Sequence, residues 1–179
     1  RQAADQVKRV TLELGGKSAN IVFADADVER AAANAPAGVF DNAGQDCCAR
    51  SRILVERTVY DRFLELLEPA VTGLRVGSPA QPDVDMGPLI SAGQRDRVRG
   101  FVEGGADAGG APVDVAFRGG APAGPGFWYP PTVVLPRSTA DPVWREEVFG
   151  PVVAVLPFDD EAEAVALAND TEYGLSGSI

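Results

Sequence analysis

Apolar residues along the chain fall into short blocks whose spacing switches between that of strands and that of helices. Val10 to Leu14 and Ala19 to Phe23 are β-branched-rich runs on either side of Gly15-Gly16-Lys17-Ser18, which predicts two strands around a glycine turn. From Asp27 to Phe40 the spacing becomes helical. Asp25 or Asp27 is placed to cap the first turn, and Pro36 is expected to kink or restart the helix. Ile53 to Val55 reads as a buried strand. Thr58 is placed to cap an amphipathic helix carrying Phe63, Leu64, Leu66 and Leu67, with a kink expected at Pro69. The proline-bearing, acidic stretch from Gly77 to Leu89 reads as a surface loop, ended by Ser91 and Gln94 at capping-box spacing ahead of a helix over Ala92 to Gly104.

Glycine, alanine and proline then dominate as far as Gly126, broken by a half-exposed strand, Val113 to Phe117. Strands follow at Phe127 to Leu135 and Val152 to Phe158, then a helix framed by Asp160 and Glu163, and a last strand starting at Leu175. Strands that alternate with helices imply βαβ units and a mostly parallel sheet covered on both faces, a three-layer α/β sandwich. The 179 residues suit one domain, and no internal repeat divides them.

Composition narrows the chemistry. The chain has no histidine, which removes Ser-His-Asp triads, Cys-His pairs and imidazole metal sites together. Acid and base work falls to carboxylates, or else to Lys, Tyr or Cys. A net charge of −10 argues against nucleic acid or an anionic membrane as partner, and no apolar run is long enough to span a bilayer. The only two cysteines, Cys47 and Cys48, are adjacent, a poor geometry for a structural disulfide, and no targeting segment is recognisable. The expected setting is reducing and cytoplasmic.

Three segments could carry chemistry, and each has a bland alternative. Cys47 follows a glycine-containing turn and precedes a strand, a corner where free backbone N–H groups would lower a thiol pKa; a free cysteine is also commonly inert packing, and Asp46 beside it would raise the pKa. Glu13 sits before two glycines at what reads as the carboxyl end of a strand, where α/β sheets place their sites, so it could act as a general base or be a solvated strand-end charge. Glu147 precedes Phe149 and Gly150-Pro151. That pair suits a sugar hydroxyl and a flat ring, or equally a solvated helix end and a core aromatic. No G-x-G-x-x-G or P-loop pattern occurs beside them.

Taken together, the segments resemble the aldehyde dehydrogenase superfamily. The resemblance rests on Leu12-Glu-Leu-Gly-Gly-Lys-Ser18, on Gly44-Gln-Asp-Cys47 with Ser51-Arg52 behind it, and on Glu147-Val-Phe149-Gly-Pro151. Gly87-Pro-Leu-Ile90, Gly126-Phe-Trp-Tyr-Pro-Pro-Thr132 and Asn169-Asp-Thr-Glu-Tyr173-Gly-Leu175 support it, in order, over nearly the whole chain. It implies the Rossmann-like catalytic domain of an NAD- or NADP-dependent enzyme that oxidises a small aldehyde to a carboxylic acid. In that reading Cys47 is the nucleophile, Glu13 activates the hydrolytic water, Glu147 binds the nicotinamide ribose and Phe149 positions the ring.

The same resemblance implies a catalytic-domain fragment over 1–179, with the dinucleotide-binding domain and a C-terminal segment lying outside it and the parent a homodimer or homotetramer. The fragment alone is expected to be inactive. Two alternatives are a catalytically silent binding or structural relative, for which Cys47 or Glu13 should be missing, and a coenzyme A-acylating enzyme, which usually lacks the glutamate.

Overall fold

The computed structural model describes residues 2–105 and 110–179. Six strands, β1 (Ala19–Val22), β2 (Arg52–Glu56), β3 (Asp114–Arg118), β4 (Thr132–Leu135), β5 (Val152–Phe158) and β6 (Gly177–Ser178), form one sheet in the order β3-β4-β5-β2-β1-β6. The helices are α1 (Val28–Phe40), α2 (Tyr60–Thr72), α3 (Ala92–Glu103), α4 (Pro142–Arg145) and α5 (Glu161–Asn169). The strand pairs are parallel except β3 with β4.

Crossover handedness sets the layers. The chain moves one way along the sheet from β1 through α1 to β2, and the opposite way from β5 through α5 to β6, so right-handed connections put α1 and α5 on opposite faces. The helix α2 packs on α1, whereas α5 packs on β1, β2 and β5. The central strands are therefore covered twice, which is why Ile53, Leu54 and Val55 are an unbroken apolar run with no exposure at all. On α2 the apolar positions Phe63, Leu67 and Val71 recur every four residues and are fully buried. The edge strand β3 starts one residue later than the expected Val113 and is more exposed than its alternation predicts, with only Phe117 of its five residues partly covered, because the strand lies at the edge of the sheet.

Several boundaries differ from expectation, each for a local reason. Val10 to Leu14 is not a strand: it pairs with no described strand, and its apolar side chains are exposed. Neither proline ends its helix. Pro36 forgoes one backbone bond inside α1, and burial of Ala32, Ala35, Val39 and Phe40 in the core carries the helix across it; Pro69 is likewise inside α2. Asp27 caps α1 by accepting from the Arg30 N–H. Thr58 does not cap α2: it lies inside a 3-10 turn over Arg57–Val59 that leads into the helix, Val59 takes the N-cap position, and the Thr58 hydroxyl donates to Glu56.

The strand expected from Phe127 starts only at Thr132, since Pro130 and Pro131 have no N–H to give a ladder. The last strand starts at Gly177 rather than Leu175, whose φ of 97° is incompatible with a strand. The helix expected to reach Gly104 stops at Glu103, and Gly104 leaves it at φ 80°. The glycine- and alanine-rich connection ahead of β3 lies partly outside the described residues.

Arg52 ties the layers together. At the first position of β2, 1% exposed, it donates from Nε to the Lys17 carbonyl (2.8 Å) and from its two terminal nitrogens to the carbonyls of Leu167 (3.0 Å) and Ala168 (2.8 Å). A cation from β2 thus satisfies the last turn of α5, which has no basic residue of its own. The guanidinium also lies 5.3 Å from the ring centroid of the buried Trp144.

Candidate active site

The candidate residues gather at the amino ends of the parallel strands, not at the carboxyl ends. The segment before β1 brings Gly15, Gly16 and Lys17; the segment before β2 brings Gln45 to Cys48; the segment before β5 brings Glu146 to Gly150. The carboxyl-end expectation for Glu13 fails because Val10 to Leu14 is not a strand of the sheet, so the glycine turn leads into β1 instead of out of a strand.

Close backbone approach joins the three segments. A Cβ on Gly16 would lie 1.8 Å from the Cys47 carbonyl oxygen, so only glycine lets the turn before β1 close on the cysteine loop. On its other side the same turn meets Glu147, whose Oε1 accepts the Gly16 N–H at 2.8 Å and whose Oε2 would be 2.7 Å from a Cβ on Gly15. Gly15 has φ 76°, which favours glycine independently.

The cysteine loop begins with three consecutive left-handed residues, Asn42, Ala43 and Gly44 at φ 48°, 55° and 70°. Asn42 is suited to that region; Ala43 is not, and its burial helps hold it there. The Asn42 side chain donates to the Gln45 carbonyl (2.9 Å), Gln45 Nε2 returns to the Asn42 carbonyl (3.0 Å), and Gln45 Oε1 accepts the Ile90 N–H (2.9 Å). A Cβ on Gly44 would meet the Gly150 carbonyl at 2.1 Å, which seats this loop on the Glu147 to Pro151 segment.

Cys47 and Cys48 are half-buried free thiols, and their sulfurs and the Asp46 carboxylate lie within 4.8 Å of one another. Asp46 turns its Oδ1 to the Cys48 N–H (2.9 Å), while the Cys47 N–H has no acceptor among the described residues. The Cys47 thiol is pushed up, not down as its place in a turn suggests. The main cause is its hydrogen bond with Cys48, followed by burial and by the charges of Cys48, Asp46 and Glu13. Glu13 is therefore close enough to Cys47 for its charge to be felt, although its own side chain is exposed.

Phe149 is 38% exposed and sits at φ 55°. A side chain the sequence points elsewhere holds it: Gln94, at capping-box spacing from Ser91, donates from Nε2 to the carbonyls of Val148 (3.2 Å) and Phe149 (2.7 Å). Ser91 does cap α3 by accepting the Gln94 N–H (3.1 Å), so half of the expected box forms. Arg97 adds a bond to the Glu147 carbonyl (3.2 Å), and Val98 packs against Gly150. A cleft of about 820 Å³ beside this segment is lined by Asn42, Gln45, Phe127 and Phe149 among others. One face of α3 thus anchors the Glu147 loop, which nothing but the Ser91-x-x-Gln94 spacing could have hinted.

The family model described as "Aldehyde dehydrogenase family" matches residues 1–179. The chain belongs to the aldehyde dehydrogenase family. It is 42% identical over 177 residues to an aldehyde dehydrogenase of Emericella nidulans, a match covering 99% of this chain and 35% of that protein. It is also 42% identical over 182 residues to the betaine aldehyde dehydrogenase of Brucella ovis, covering 99% of this chain and 37% of that one. Among solved structures, a mutant aldehyde dehydrogenase from Bacillus cereus superposes with a TM-score of 0.89 at 39% identity, over 99% of this chain and 36% of that one. The betaine aldehyde dehydrogenase of Staphylococcus aureus, solved in complex with NAD+, superposes at 0.86 with 41% identity, over 98% of this chain and 35% of that one. The chain thus spans 35% and 37% of the length of the two curated aldehyde dehydrogenases it matches. Among the described residues no helix is long and apolar enough to cross a membrane.

Proposed function

We propose that the protein containing this chain oxidises an aldehyde to a carboxylic acid with NAD or NADP, and that residues 1–179 are its catalytic part. What supports the reading is one contact set: the Gly15-Gly16 turn touches the Cys47 loop on one side and the Glu147 carboxylate on the other. Nucleophile, base and cofactor residues thereby share one rim.

In this reading the Cys47 sulfur attacks the aldehyde carbon, forming a C–S bond, and the thiol proton leaves to a base as the bond forms. The thiol is held up, so the proton has to be taken during the attack, and Glu13 and Asp46 are the neighbouring carboxylates. The carbonyl oxygen, now negative, is held by the Cys47 N–H, which has no acceptor among the described residues. When the carbonyl re-forms, the carbon gives up its hydrogen with the bonding pair, for which bound NAD or NADP would supply the acceptor, and a thioester to Cys47 is left. Glu13 then takes a proton from water, which adds to the thioester and frees the acid and the sulfur.

Two features fit a nicotinamide riboside. Glu147 keeps Oε2 without a described donor while Oε1 is anchored, so it can accept from ribose hydroxyls, and Phe149 offers an exposed flat face beside it. The presence of Glu13 favours hydrolysis over acyl transfer to coenzyme A. The protein is read as a homodimer or homotetramer with its main dinucleotide-binding part outside these residues, and the isolated chain as inactive.

In the intact protein, Cys47→Ala should abolish NAD-dependent aldehyde oxidation, while Glu13→Gln should give one burst of reduced cofactor and then stall, seen by stopped-flow absorbance. Turnover retained by Cys47→Ala would overturn the assignment. Tight NAD+ binding to residues 1–179 alone, measured by calorimetry, would overturn the placement of the cofactor domain.

A further inference from the structure

Lys17 is 1% exposed, and its Nζ has no hydrogen-bond partner among the described residues. An ammonium in that state is costly, and the proposed chemistry gives it no role. Its position is informative. It follows directly on the two glycines that seat Glu147, with Oε1 on the Gly16 N–H and Oε2 over Gly15.

The charged and titratable groups around it come from three directions: Arg52 from β2, Glu146 and Glu147 from the segment before β5, and Tyr173, whose ring edge would meet a Cβ on Gly15, from the segment after α5. Arg145 and Asp170 act on Arg52 in turn. Arg52 is committed to three carbonyls, so the carboxylates are what remains for the Lys17 charge to act on.

We propose that Lys17 is a positioning residue for Glu147: its buried ammonium holds that carboxylate seated on the glycine turn, so that a ribose meets a preset acceptor. This rests on reading Glu147 as the ribose-binding residue. Burial, and then Arg52, push the Lys17 pKa down to about 7, against the pull of Glu147 and Glu146. Lys17 therefore gives up its proton in the neutral range, and its hold on Glu147 weakens as pH rises through that range.

The test is the equilibrium dissociation constant for NAD+, measured by calorimetry on the full-length protein from about pH 6 to about pH 9. The wild-type constant should weaken about tenfold across that window, and Lys17→Met should bind about tenfold more weakly at the acid end with a flat profile. Lys17→Met that folds, by circular dichroism and thermal melt, and keeps the wild-type affinity and profile overturns the proposal. If that variant does not fold, the wild-type profile decides: weakening through the neutral range supports the proposal, and a flat profile overturns it. Glu147→Gln separates the two layers. Unchanged affinity there overturns the ribose reading and the proposal with it; weakened affinity beside an unaffected Lys17→Met overturns the role of Lys17 alone.

Discussion

Glu13 and Leu14 lie exposed, with Leu14 at 75%, while Gly16, Lys17 and Ser18 two to four residues on are buried. One uninterrupted motif is thus divided by a two-glycine turn into a half held by the fold and a half held by nothing described. The buried half is fixed by backbone approach to Cys47, by the Glu147 carboxylate on its N–H and by Arg52 on the Lys17 carbonyl. The exposed half makes no ladder, yet it supplies a carboxylate whose charge reaches the thiol. A residue proposed for chemistry therefore needs no share in stability, and the glycines that do no chemistry decide where it sits.

The largest effect should come from the tightest contact. Gly16→Ala in the intact protein sets a methyl group 1.8 Å from the Cys47 oxygen, which is backbone and cannot rotate away. It should cost about 3 kcal/mol or more in urea unfolding, or prevent folding. Tolerance of that alanine would erase the division between the halves.

Lys17 comes next. Its folded pKa of about 7 lies below the ordinary 10.5, so between those values the unfolded chain binds more protons and the Lys17 contribution to stability rises with pH. Lys17→Met should remove that slope from the difference between wild-type and variant unfolding curves, and a slope common to both would assign it to other groups. Cys48→Ala removes the main cause of the raised Cys47 thiol, so alkylation of Cys47 near neutral pH should speed up about threefold, followed by mass spectrometry of the labelled peptide. The smallest effects belong to the exposed half. Leu14→Ser and Glu13→Gln should each leave unfolding free energy within about 0.5 kcal/mol of wild type. A large loss at either would mean that a partner outside the described residues covers this half.

Much of the fold was legible because it depends on local pattern. The fully apolar Ile53 to Val55 and the four-residue spacing of Phe63, Leu67 and Val71 reflect burial on two faces and on one, and the structure puts them there. Asp27 and Ser91 cap helices because a short side chain bonding the N–H three residues on is a local event. Val10 to Leu14 misled because an alternating apolar run promises a strand only when a partner edge exists, and here none is described. Thr58 and Gln94 misled in another way: both are at cap spacing, but a 3-10 turn over Arg57–Val59 leads into α2 ahead of any Thr58 cap, and the Gln94 amide is turned to the Val148 and Phe149 carbonyls instead of back to Ser91.

The candidate site shows the same division. By itself the sequence determined the inventory: a chain without histidine, with adjacent cysteines after a glycine turn, a carboxylate before two glycines, and a second carboxylate two residues before an aromatic. Those residue types remove imidazole and leave sulfur and carboxylates as the main candidates, since covalent structure alone sets what each side chain can donate or accept. Only the tertiary structure decided that the rim lies at the amino ends of β1, β2 and β5, that the Cys47 thiol is pushed up, and that Lys17 is buried. The rim depends on groups far apart in the chain, brought within a few ångströms by glycines whose missing Cβ leaves room for another segment's backbone, whereas the thiol depends mainly on how the turn sets Cys47 against its neighbour Cys48.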